Sequence, residues 1–229
     1  MKKEMCVGTL EGARLAAAHN VDRIETCIAL EQGGLTPTAS MVKWIDQTFH
    51  LEQHVLIRQR AGGFVYNYDE IVVMRDQILE MKSLGVSGVV IGALTANDQL
   101  DFQALEAWKR AAGNLTLTFH RAFDEIADWR KAMDELIKLG FTRILTNGQA
   151  ANVEAGRANL YEMVMHAAGR IEIMAGSGLK SSDIGEMKEI GVSAVHFSAT
   201  VATNHSSESK YAIELLLPSE IILSGMMQG

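Results

Sequence analysis

The chain has 229 residues, is 48% hydrophobic and carries a formal net charge of -7 from acidic and basic residues mixed along its whole length. At that size one domain with a substantial core, spanning 1–229, is the expectation. The absence of a basic stripe argues against nucleic acid, and the absence of a long apolar run argues against a membrane span.

The first strand-like run is MCVGT at 5–9, reached directly from Met-Lys-Lys-Glu without the apolar stretch of a signal peptide. It contains Cys6, and the second run, RIETC at 23–27, contains Cys27. Two cysteines are too few for a disulfide framework, so a reducing compartment, by default the cytoplasm, is expected. The remaining runs are HVLIR at 54–58, GVVIG at 88–92, LTLTF at 115–119, RILTN at 143–147, IEIMA at 171–175 and AVHFS at 194–198. Helical patterns separate them, which is the rhythm of βα units.

The approaches to the strands repeat as well. SLGVSGVVIGAL, KLGFTRILTNG and EIGVSAVHFSA precede strands four, six and eight, with HNVDRIETC as a variant before strand two. Gly85, Gly140 and Gly191, with Asn20 in the variant, fall where a helix ends in the left-handed conformation. Strands five and seven instead follow AAGNLTLTF and AAGRIEIMA, so the chain alternates between two kinds of unit. Alternate strands supply alternate side-chain layers in a closed parallel barrel, so the reading is an α/β fold, a (β/α)8 TIM barrel. Asn67, Asp101, Asp128, Asn152 and Ser181 or Ser182 suit helix N-caps. The stretch 202–210 reads as a polar loop, and the tail after Pro218 is apolar without helical periodicity, so the eighth helix has the weakest pattern.

Ligands meet such barrels at the C-terminal strand ends. Glu25 and Cys27 stand there on strand two, Arg58 and Arg60 on strand three, and His120, Arg121 and Asp124 after strand five. Thr146 and Asn147 end strand six, and His196 and Ser198 end strand eight. Residues two apart share a strand face, so Arg58 and Arg60 are expected to point one way, and Glu25 and Cys27 likewise. A carboxylate facing guanidinium groups leaves spare donors for an anionic ligand; a salt-bridge plug across the barrel mouth is the alternative reading. His120, oriented by Glu25 or Asp124, has acid–base chemistry near neutral pH, while Arg121 and Asp124 also suit a simple pair across a turn. Asn147 adds a polar contact, and the Gly176-Ser177-Gly178 turn after strand seven offers backbone N–H groups to a phosphate or carboxylate. Soft ligands for copper(I) are Cys6 and Cys27, although they lack a CxxC spacing and a thiol in a strand is commonly a small buried hydrophobe. The twelve methionines are scattered as core filler.

The segments RIETCIALEQGGLTPT, IRQRAGGFVY, GALTANDQLD, TFHRAFDEIADW, RILTNG and IEIMAGSG together resemble the CutC family of copper homeostasis proteins over roughly 5–200. The resemblance implies a cytoplasmic TIM barrel, a homo-oligomer such as a dimer or tetramer, and a role in copper tolerance, trafficking or storage. Copper(I) is the one cofactor it brings into view, and it attaches no settled reaction. By motif it points to Glu25, Cys27, Arg58, Arg60, His120, Arg121 and Asp124. Gln59 stands where the family pattern has proline, Ala61 and Gly63 replace glycine and aspartate, and Ala175 and Ser177 alter a PGGG-like turn. The readings carried forward are a copper(I) protein using Cys6 or Cys27, and an enzyme or binding protein for a small phosphorylated or carboxylated metabolite.

Overall fold

Alternation along each short strand sends one set of side chains to the barrel axis and the other to the surrounding helices. In the computed structural model, which describes residues 1–198, the strands are β1 (Lys2–Val7), β2 (Arg23–Thr26), β3 (Gln53–Leu56), β4 (Gly88–Ile91), β5 (Thr116–Phe119), β6 (Arg143–Thr146), β7 (Glu172–Gly176) and β8 (Ala194–Ser198). All neighbours pair in parallel, and β8 pairs with β1 with Cys6 opposite Ser198, closing the barrel. Seven helices alternate with the strands among the described residues: α1 (Leu10–Ala18), α2 (Ala39–Phe49), α3 (Tyr68–Ser83), α4 (Phe102–Ala112), α5 (Trp129–Leu139), α6 (Arg157–Ala167) and α7 (Ile184–Ile190). The expected eighth helix, the loop at 202–210 and the tail after Pro218 lie outside the described residues. No described helix is long and apolar enough to cross a membrane.

The repeated helix endings have the expected cause. Gly140 and Gly191 follow α5 and α7 at φ 82° and 90°, Gly85 lies just past α3 at 82°, and Asn20 past α1 at 49°. Asn67 opens α3 with a reciprocal capping box to Glu70, and Asp101 and Asp128 cap α4 and α5. Two expected caps are corrected. Asn152 Oδ1 accepts from Ala155 N at 2.9 Å, a local turn, and α6 begins only after Gly156. Helix α7 begins at Ile184 after a 3-10 turn over Ser181–Asp183, so neither Ser181 nor Ser182 is its N-cap.

The apolar layer lies between sheet and helices. Val55, Ile57, Val89, Ile91, Leu117, Phe119, Ile144, Ile173 and Val195 all join one buried cluster with helix residues such as Met74, Trp108 and Leu136. Each large side chain buried there is worth roughly 1.5–3 kcal/mol. Inside the barrel the lower layers are polar. Arg23 is fully buried, paired with Glu4, and its Nη2 lies 3.6 Å from Met174 Sδ across the barrel. Arg143 donates to Glu172 at 2.7 Å and to Thr118 at 3.0 Å. These charges are tolerated because each has a partner, and they floor the space above.

Candidate functional site

Above that floor, at the C-terminal strand ends, is a cavity of about 530 Å³. Its polar wall comes from Cys6 of β1, Glu25 of β2, Arg58 after β3, His120 and Arg121 after β5, Ser177 and Gly178 after β7, and His196 and Ser198 of β8. Leu30, Leu56, Phe64, Leu145, Leu179 and Phe197 supply apolar surface.

Arg58 is 5% exposed, yet no carboxylate among the described residues pairs with it. Its guanidinium donates only to backbone carbonyls, those of Gln32 and Gly34 at 2.9 Å each and of Gly62 at 2.6 Å, and Nε has no partner. These bonds fix the aim of the group but leave its positive charge uncompensated. Phe64 covers one face, its ring 5.4 Å from the Arg58 guanidinium carbon, and also lies against His120, the ring centroids 4.7 Å apart and the planes tilted by 43°.

His120 is held by the backbone. Its Nδ1 accepts from Ala122 N at 3.2 Å, which places the proton of the neutral ring on Nε2. Nε2 is buried without a partner. Burial first, and then the Arg58 charge, push the pKa of His120 down to about 3. Both influences favour the neutral ring, with its remaining N–H on Nε2.

Glu25 is shifted the other way. Burial raises its acid to about 7; the charge on Glu4 adds to the rise, while His196 and Arg23 oppose it. Its Oε2 has no hydrogen-bond partner and lies 3.7 Å from His196 Nδ1. Glu4, fully buried beneath, has the opposite fate. Burial alone would raise it, but the hydrogen bond from His196 at 2.8 Å and the charges of His196, Arg23 and His54 bring it to about 2. In return His196 is raised, because Glu4 and Glu25 outweigh its own burial.

Arg60, Asp124, Asn147 and Gly176, expected at the site, do not line the cavity. Arg60 turns outward, where Glu70 binds its Nε, and its Nη2 donates to Val65 O at 2.8 Å. The shared-face argument failed because β3 stops at Leu56 and the chain has left the strand before Arg58. Asp124 points sideways, accepting from Thr146 Oγ1 at 2.5 Å and Asn147 N at 3.2 Å, and pairs with Arg121 at 3.1 Å. It braces the turn after β5 against the end of β6. Asn147 closes its own loop on Ala150, donating from Nδ2 at 2.7 Å and accepting at 3.2 Å. Gly176 is inside β7, where a Cβ would stand 2.7 Å from Leu145 and 3.0 Å from His196; it makes room for the wall, and Ser177 and Gly178 face the cavity instead.

Cys6 and Cys27 are brought together, Sγ to Sγ 3.4 Å, with Cys6 on the cavity wall and Cys27 fully buried. Both are free thiols. The hydrogen bond with Cys27, burial and the Glu25 charge all push the Cys6 thiol well above its ordinary value. The pair has soft donor chemistry suited to a monovalent copper ion, which would have to displace a firmly held proton. Glu4, Phe64 and Arg23 were missed by sequence reasoning. Glu4 is two before Cys6 and Arg23 two before Glu25, so period-two counting from those residues would have found both.

A sequence model of the CutC family matches residues 1–201. A curated CutC family protein of Glaesserella parasuis is 41% identical over 200 residues, covering 87% of this chain and 82% of the relative. A Caenorhabditis elegans protein named copper homeostasis protein cutC homolog is 35% identical, covering 93% and 86%. The crystal structure of a copper homeostasis protein CutC from Streptococcus agalactiae superposes with a TM-score of 0.82 at 34% identity, covering 86% of this chain and 98% of that one. With these matches and the closed barrel that carries the motifs, the chain belongs to the CutC family.

Proposed function

We propose that the protein binds, and acts by proton transfer on, a small anionic metabolite at the C-terminal mouth of its barrel. The observation that carries this is the convergence on one cavity of three buried polar atoms without partners: Arg58 Nε, His120 Nε2 and Glu25 Oε2. A buried atom left unpaired costs about 1–3 kcal/mol, more when charged, so three at one cavity fit a ligand that completes them. Arg58 supplies the charge for a phosphate or carboxylate, and the Ser177–Gly178 turn lies on the same wall. His120 donates a hydrogen bond to a polarised oxygen without itself ionising. Glu25, at about 7, holds or releases a proton at neutral pH and is the acid–base group.

Thermal shifts with inorganic phosphate, sugar phosphates and small carboxylic acids test this reading. A ligand at 100 times its Kd adds about 2.7 kcal/mol of stability. Arg58→Met is expected to remove the shift, measured against the variant's own unliganded Tm, while Arg60→Gln retains it. Indifference to every anion, or a shift that survives Arg58→Met, overturns it.

A second reading has its own observation, the 3.4 Å approach of Cys6 and Cys27. It brings to this chain the copper homeostasis of its relatives' names, with copper(I) as cargo held by the two sulfurs. Copper(I) titration decides it: Cys6→Ser and Cys27→Ser should each weaken binding, and parent-like affinity in both excludes the pair.

A further inference from the structure

Beneath the ligand cavity, Glu4, Glu25 and His196 form a compact group of donors that the proposed reaction does not use as a set. One ligand atom from each lies within 4.8 Å of the others. His196 Nδ1 stands between the two carboxylates, 2.8 Å from Glu4 and 3.7 Å from Glu25. Donors on one octahedral face stand about 3 Å apart, so the observed spacings bracket what a bound cation needs.

Charge points the same way. Glu4 has Arg23 as its guanidinium partner, whereas Glu25, 4% exposed, has only the His196 ring beside it at 3.7 Å, and its Oε2 makes no hydrogen bond. The second carboxylate is therefore compensated by its own proton, by a protonated His196 or by a bound cation. Access comes from above, because Glu25 and His196 are on the cavity wall while Glu4 is fully buried behind them.

We propose that Glu4, Glu25 and His196 form a binding site for one divalent cation of the manganese(II) or zinc(II) kind, with its open coordination positions facing the cavity. Two carboxylates and an imidazole are hard to borderline donors, a different chemistry from the soft sulfurs of Cys6 and Cys27. A bound cation and protons compete for the same donor atoms, so the cation-loaded group and the proton-carrying Glu25 are alternative states. With a divalent ion, two carboxylates and Arg23, the group carries one net positive charge, which adds to the attraction of Arg58 for an anion.

Manganese(II) alone is the probe, because it shuns thiols and leaves the cysteine pair out of the result. The full chain, stripped with chelator, is dialysed against manganese(II) at pH 8 and the bound ion is counted by electron paramagnetic resonance. One equivalent is expected, weakened at least about tenfold by Glu25→Gln and by His196→Asn, the lower end of what outer-shell losses alone produce. Glu11→Gln, an exposed acidic control on α1, leaves it unchanged. Two variants are used because either one alone can disturb packing, and Glu4 is spared because its loss strands Arg23. Failure to bind one equivalent, or parent-like affinity in either variant, overturns the site. Anion thermal shifts run in chelator separate this outcome from the anion reading, which stands or falls without the cation.

Discussion

Replacing Glu25 by glutamine is expected to stabilise the protein, and to do so only above acidic pH. The buried acid is held at about 7 against an ordinary 4.5. A carboxylic acid whose folded pKa is raised favours the folded state while protonated. That contribution is complete below 4.5, is lost progressively between 4.5 and about 7 as the unfolded chain gives up its proton first, and stays lost above. At about 1.4 kcal/mol for each tenfold change in the ionisation constant, the parent carries a penalty of about 3 kcal/mol at pH 8. Glutamine preserves the shape without the charge, so the variant should equal the parent near pH 4 and exceed it by up to about 3 kcal/mol at pH 8. For a chain of this size that is roughly 6–12 °C in Tm. His196 loses the attraction of Glu25 in the variant and takes back part of the gain, so the figure is an upper one. Urea denaturation across this pH range, with chelator present, measures the difference. Parallel stability–pH curves for parent and variant would refute the reasoning.

Glu4→Gln has the opposite sign: it leaves Arg23 fully buried without its main partner and should cost about 3–5 kcal/mol in urea denaturation. A loss below about 1 kcal/mol would mean that Glu52, 3.7 Å from Arg23, takes over the charge. Gly92→Ala places a Cβ 2.5 Å from the His120 ring and should displace it, abolishing the anion thermal shift while far-UV circular dichroism stays that of the parent. An undiminished shift there removes His120 from the ligand's partners.

Much of the fold was legible because it rests on local rules repeated in the chain. The LGV, LGF and IGV segments end helices through Gly85, Gly140 and Gly191, and all three adopt the left-handed conformation that the pattern requires. The site was legible only in part, since strand ends rather than strand interiors decide it. Arg58 and Arg60 were read as one face of an extended strand, but after Leu56 the period of two no longer applies and Glu70 of α3 captures Arg60. Asp124 lies within a 3-10 turn over Arg121–Glu125, whose geometry aims it at the end of the next strand. Glu4 escaped because the first strand was counted from Met5, three residues after its true start at Lys2. The tuning of His120 and Glu25 in opposite directions depends on which atoms surround each ring or carboxyl, and no spacing in the chain encodes that.

The division of each strand between an outer set packed against the helices and an inner set facing the barrel axis has a consequence for divergence. Val55 and Ile57 are bound into the helix-backed core, whereas His54, Leu56 and Arg58 between and beside them are not. Neighbouring codons thus answer to different selective pressures, one set to persistence of the barrel and the other to whatever occupies its mouth. A protein engineer can use the same separation, varying the cavity-lining residues of β2, β3 and β8 while leaving the outer set and the buried Glu4–Arg23 pair untouched.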